Sequence, residues 1–135
     1  VHPALEGGGI NFYNLDPGVE DIITKFGYLY DLGVRHFGVS VDDMSGHPST
    51  QGELAAKVQA KLDELYNTST ASSDDRVGGI IFVPTGYALN YGGASSVLMQ
   101  FADVDSKINV AFTGYDCFSN VRLLVHAWLD CKMDT

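Results

Sequence analysis

The sequence predicts an α/β protein built from parallel β/α units, and three observations carry that prediction. Stretches with helical periodicity alternate with short apolar runs along the chain. The runs Val34–Val41, Val77–Val83 and Ile108–Phe112 have strand length and strand composition. Each run empties into polar or turn-forming residues: Asp42-Asp43, Pro84-Thr85-Gly86 and Thr113-Gly114. Parallel strands joined through helices need right-handed crossovers. Two closures satisfy that rule: part of a (β/α)8 barrel, or an open doubly wound sheet. The 135 residues fit one domain, read as a single β/α segment over residues 1–135.

In chain order, Gly7-Gly8-Gly9 reads as a flexible turn, since it lacks the lysine and spacing of a phosphate loop. Ile10 to Tyr13 is a short apolar-aromatic segment. Asp16-Pro17 looks like an N-cap followed by proline at the first helical position. Val19, Ile22, Ile23, Phe26, Leu29 and Tyr30 then recur at helical steps, and Gly33 ends the helix. The strand Val34–Val41 follows, entered through Arg35-His36.

Thr50-Gln51-Gly52-Glu53 matches a capping box, with Leu54, Val58, Leu62 and Leu65 on one helical face behind it. The polar run from Asn67 to Arg76 is a loop whose composition favours mobility. Within it, Asn67-Thr68-Ser69 is a glycosylation sequon, relevant only on a eukaryotic secretory route. Val77 to Val83 suits a parallel strand covered on both faces. A short helix is expected over Ser95 to Ala102, and Ile108–Phe112 is the last clear strand. Val121 to Leu129 is apolar enough for helix or strand.

Composition narrows the function. Apolar residues make up 45% of the chain, enough for a core rather than a disordered segment. The formal net charge is -9, which repels a phosphate backbone and disfavours nucleic acid as a partner. No basic amphipathic stretch favours a membrane surface, and no apolar run reaches spanning length. The chain starts at Val1 without a signal sequence, so either a leader has been removed or this is a piece of a longer protein. Cys117 and Cys131 either bridge or stay free, and two cysteines do not fix the compartment.

The chemistry concentrates at Asp42 and Asp43, where a strand is expected to reach the surface. Adjacent carboxylates repel, so one holds its proton to higher pH than the other. That separates an acid from a base or electrostatic partner, the division of labour that cleaves glycosidic bonds. Adjacency argues against the ordinary retaining scheme, where two carboxylates flank the bond from opposite sides. It suits a nucleophile supplied by the substrate, such as an N-acetyl group beside the anomeric carbon. The plainer reading of the pair is a solvated turn or helix cap. A metal site with both aspartates as oxygen ligands lacks a supporting His/Cys cluster, because His2, His36, His47 and His126 are scattered.

Several ordered motifs resemble glycoside hydrolase family 84, the O-GlcNAcase-like or hyaluronidase-type β-N-acetylglucosaminidases. They are Lys25-Phe26, Leu29-Tyr30-Asp31-Leu32-Gly33-Val34-Arg35, Phe37 and Asp42-Asp43. Val83-Pro84-Thr85-Gly86-Tyr87 is similar to the family's Pro-Thr-Glu-Tyr, and Phe112-Thr113-Gly114 to its Trp-Thr-Gly. His2-Pro3 resembles the Pro-Gly segment that precedes this unit. The resemblance implies a (β/α)8 barrel and a retaining, substrate-assisted mechanism through an oxazoline, with no metal or organic cofactor. It implies that Asp42 holds the 2-acetamido group and that Asp43 is general acid, then base. Tyr87 and Thr113 would line the acetamido pocket, with Phe112 in place of the usual Trp and Cys117 in place of a small apolar residue. Gly86 replaces the usual Glu.

A barrel needs about 250 residues, so the chain would cover only the middle strands. The family's opening Glu-Gly-Phe-Tyr-Gly and its later sugar-gripping Trp-Asn-x-Pro-x-x-Asp have no counterpart here. A GlcNAc-containing glycoconjugate is the expected partner. A non-catalytic module that binds GlcNAc or glycan is the alternative. A partial barrel would also expose strand edges, and so pair with itself or with other barrel segments.

Overall fold

The computed structural model describes residues 10–41, 49–88, 94–113 and 123–124. The elements run α1 (Asp16–Asp31), β1 (Gly38–Ser40), α2 (Gln51–Tyr66), β2 (Ile81–Val83), α3 (Ala94–Met99), β3 (Asn109–Phe112) and β4 (Leu123–Leu124). The alternation expected from periodicity is present, with strands shorter than the apolar runs that mark them.

Helix α1 buries Val19, Ile22, Ile23 and Phe26. Its start differs from the sequence expectation. Leu15 is the N-cap, in helical backbone geometry and with no side-chain cap bond, and Pro17 lies in the first turn. Leu15 is itself buried, so packing rather than an Asp16 cap holds the entry. The Asp16 carboxylate accepts instead from Lys57 Nζ at 2.7 Å. The exit follows the expected glycine stop. Gly33 sits at φ +94°, its N–H donates to the Tyr30 carbonyl, and the Val34 N–H donates to the Leu29 carbonyl. This is the Schellman arrangement, in which a left-handed glycine lets the chain satisfy the last orphan carbonyls. Leu29, placed by periodicity on the apolar face, lies exposed beside this exit.

In α2 the expected capping box does not form. Thr50 is the N-cap without a side-chain cap bond, because its hydroxyl donates to the Phe12 carbonyl at 3.0 Å. Glu53 lies 3.8 Å from Lys57. A tertiary partner has taken the group that the local motif would use. Leu54, Ala55, Val58 and Leu62 are buried, whereas Leu65 at the last turn is exposed.

Strands β1, β2 and β3 are parallel and adjacent in chain order, and β4 pairs antiparallel with β3. The register sets Val39 beside Phe82 and Phe82 beside Val110. These residues join Ile22, Phe26, Leu54, Val58, Leu62, Val97 and Phe101 in one core between the sheet and the helices. Phe26 stacks on Phe37 with centroids 4.5 Å apart. The opposite sheet face carries Gly38, Ser40, Ile81, Val83, Asn109 and Ala111, none of them buried, with Ile81 at 50% exposure. The expectation that Val77–Val83 is covered on both faces is therefore corrected: among the described residues helices cover one face, and the other stays partly exposed.

Two glycines let backbones touch. A Cβ on Gly79 would sit 1.8 Å from the Lys107 carbonyl oxygen, and one on Gly52 would sit 1.9 Å from that of Gln100. Real Cβ atoms do not approach that closely, so each glycine sets the distance between two segments.

The N-terminal edge of the sheet is tied by polar groups. The Asn67 amide donates to Asp63 Oδ1 (2.6 Å) and to the Val77 carbonyl (3.0 Å), and its oxygen accepts the Val77 N–H (2.9 Å). Gln59 donates to Asp63 (3.2 Å) and accepts the Ile80 N–H (2.9 Å). Lys107 Nζ pairs with Asp63 and Asp105. The loop expected to be mobile is anchored here too. Arg35 Nε donates to the Asp74 carbonyl at 3.1 Å, and the Tyr30 hydroxyl donates to the Asp75 carbonyl at 2.9 Å. The Arg35 guanidinium stacks 3.9 Å over Tyr30, and Tyr30 stacks on Tyr66 at 3.9 Å.

Burial pushes the Asp63 carboxyl up, but the hydrogen bonds from Lys107 and Asn67 outweigh it and hold it below the ordinary carboxylate value. A depressed carboxylate contributes stability that is fully present above its unfolded value and is lost as pH falls through its folded one. Urea titrations across pH 2–5 are expected to show this acid-side loss, and Asp63→Asn is expected to flatten it. Gly79→Ala is expected to destabilise by about 1–3 kcal/mol through overpacking against backbone, read as a lower denaturation midpoint.

Candidate active site

Because β1, β2 and β3 run parallel, their C-terminal ends meet on one rim. In α/β sheets this rim is where ligands bind, since the helices and strands leave their loops there. The β1–β2 ladder closes with the Val41 N–H donating to the Val83 carbonyl at 2.9 Å. Pro84, on the β3 side, follows and has no N–H to donate, so the β2–β3 ladder loses its next bond there, while the Thr85 N–H, next in line toward β1, is taken by a side chain. The chain turns at Gly86, which holds φ +64°, a left-handed conformation that costs residues bearing a Cβ roughly 1–2 kcal/mol.

Thr85 and Tyr87 flank that glycine. Thr85 is buried and is held by Gln51, the first residue of α2. Gln51 Oε1 accepts the Thr85 N–H at 2.8 Å, and Gln51 Nε2 donates to Thr85 Oγ1 at 3.0 Å. Tyr87 is half-buried. Its carbonyl accepts both the Thr113 N–H at 2.9 Å and, more weakly, the Thr113 hydroxyl at 3.4 Å. The ends of β2 and β3 are therefore stitched together through two residues that sequence reading selected for the site.

Phe112 is 6% exposed. It is buried beside Thr113 but apart from the main helix–sheet cluster. Asp42, Asp43 and Cys117 lie outside the described residues. In the chain Asp42 comes directly after Val41, whose side chain is fully buried. Sequence reading missed Gln51. A glutamine in the first turn of an amphipathic helix reads as surface, and only the tertiary packing shows it at 0% exposure. Among the described residues no three His, Cys, Asp or Glu side chains gather as a metal would require.

The layout is that of an α/β protein whose polar groups collect at the C-terminal rim of a parallel sheet. The chain matches the β-N-acetylglucosaminidase family over residues 1–127, and it belongs to that family. It is also similar to the solved structure of CpGH84D, with a TM-score of 0.67 and 30% sequence identity. That match covers 90% of this chain and 20% of the other, so the chain spans about one fifth of the length of that structure. The two findings agree with a partial domain of the glycoside hydrolase 84 type.

Gly86→Ala is expected to lower stability by about 1–2 kcal/mol through strain at a positive φ. Gly18→Ala has negative φ and a nearest contact to the Ile10 side chain at 3.2 Å. It is expected to cost less, and paired chemical denaturation curves compare the two.

Proposed function

We propose that the chain supplies the catalytic rim of a retaining β-N-acetylglucosaminidase that cleaves terminal β-linked GlcNAc from a glycoconjugate. The observation that carries this reading is the family match over residues 1–127, joined to a rim where Tyr87 and Thr113 are bonded side by side. In this reading the sheet is an arc of a (β/α)8 barrel. The sequential parallel order of β1, β2 and β3 supports it. So does the face of Gly38, Ser40, Ile81, Val83, Asn109 and Ala111, where none of the six is buried. Parallel sheets are stable when both faces are covered, and in a barrel this face would meet the remaining strands.

Asp42 accepts the N–H of the substrate's 2-acetamido group and polarises it. The acetamido carbonyl oxygen attacks the anomeric carbon as the glycosidic C–O bond breaks, and Asp43 gives its proton to the leaving oxygen. The product of this step is an oxazoline fused to the sugar in its N-protonated, oxazolinium form, with the N–H still held by Asp42. Water then attacks the anomeric carbon, Asp43 takes the water's proton, and the oxazoline ring opens with retained configuration. Tyr87 hydrogen-bonds near the acetamido group. Thr113 and Cys117 line its pocket, and Phe112 backs it as an apolar wall. The stitched Tyr87–Thr113 pair suits such a pocket, because a bound group must be held in near-attack geometry for the internal nucleophile to count.

In the full-length protein, Asp43→Asn is expected to lower kcat for an aryl β-N-acetylglucosaminide by about 100- to 10,000-fold. The loss should be larger for poorer leaving groups, because these depend most on protonation. Asp42→Asn is expected to lose activity comparably while leaving the leaving-group dependence unchanged. Retained wild-type turnover in both variants would rule out the assignment.

A further inference from the structure

We infer that Gln51 is the positioning residue of the rim: its buried side-chain amide fixes the turn that carries Tyr87 and, through Tyr87, the end of β3. Three observations meet at this residue. Its side chain is fully buried and polar, and an unpaired amide there would be costly, so its bonds define where its partners sit. Its two amide ends bind two groups of one residue, the N–H and the hydroxyl of Thr85, closing a small ring that resists rotation of either partner. Its own backbone N–H donates to Gln100 Oε1 at 2.8 Å, which ties the start of α2 to the segment after α3.

The consequence for Tyr87 follows from chain geometry. Only Gly86 separates it from Thr85, and glycine is the residue least able to hold a direction by itself. The turn is instead clamped on both sides, by Gln51 at Thr85 and by Thr113 at the Tyr87 carbonyl. Pro84 withholds the next N–H that β2 would offer β3, and the Thr85 N–H, next in line toward β1, goes to Gln51 Oε1 instead. At Thr85 a helix therefore takes a bond that a strand would take, and it is the helix that follows β1 and the Asp42-Asp43 pair in the chain. Gln51 touches no substrate in this scheme; it acts through Thr85 and Tyr87.

The test has one arm that needs no activity. In Gln51→Leu, amide hydrogen exchange at Thr113 is expected to quicken by about tenfold or more. Exchange at Asn109, lower in the same strand and bonded to the Ile80 carbonyl, should change by less than about twofold. Equal changes at both amides, or none at Thr113, would overturn the inference. If Gln51→Leu does not fold, Thr85→Val, which deletes only the hydroxyl end of the ring, is read the same way with a smaller expected change.

The kinetic arm rests on the glycosidase reading and uses the full-length protein. Gln51→Leu and Tyr87→Phe are each expected to lower kcat/KM for an aryl β-N-acetylglucosaminide by about tenfold. The double variant should lose little more than either alone, because the first acts through the second. Multiplicative losses near a hundredfold would show that Gln51 does not work through Tyr87. A wild-type protein that hydrolyses nothing would remove the glycosidase reading, while the exchange measurement would still decide the role of Gln51.

Discussion

Parallel pairing of β2 with both neighbours is the constraint from which the rest of the molecule follows. A parallel neighbour cannot be reached by a hairpin, so the chain must climb back over the sheet each time. Helices α2 and α3 are those climbs, and they lie on one face. Their apolar sides then have one place to go, against Val39, Phe82 and Val110. The same constraint sends all three strands toward one edge, so polar residues that are distant in the chain arrive together. Gly52 permits the close approach of α2 to the segment after α3, and Gly79 that of the segments entering β2 and β3; a side chain at either would push its two segments apart.

The two edges of the sheet are built differently. At the N-terminal edge Asp63, Asn67, Gln59 and Lys107 form a polar knot that binds α2 to the start of β2 and to the segment before β3. Arg35 and Tyr30 bind the intervening loop. These groups spend their hydrogen bonds on one another. At the C-terminal edge the bonds run from Gln51 to Thr85 and from Thr113 to the carbonyl of Tyr87. They hold the backbone of the rim from which the tyrosine ring projects. One edge serves cohesion, and the other serves orientation, a division general among β/α folds.

Much of this was legible in the sequence, and the misreadings share a cause. Helix faces were readable because Val19, Ile22 and Phe26 recur with a period that depends only on local geometry. The Gly33 stop was readable for the same reason. Caps were not: Asp16 and Thr50 have the right chemistry for capping, but Lys57 and the Phe12 carbonyl, far away in the chain, claim them first. The exposed side of β2 was unreadable because an apolar residue such as Ile81 looks the same whether it is covered or not. At the rim, Tyr87 and Thr113 were selected by motif as candidates, whereas the contact of Gln51 with Thr85 was hidden because burial of a polar helix-start residue is a property of the packed whole.

The amide of Asn67 carries one last consequence. Both of its N–H bonds are in use, one toward Asp63 and one toward the Val77 carbonyl. An oligosaccharide joined to that nitrogen would replace one of the two hydrogens, and the residue could no longer hold both acceptors. Folding and sugar attachment at this position therefore compete: an enzyme that decorates such tripeptides would have to act on the nascent, unpacked strand, and the sugar would then hinder closure of the knot.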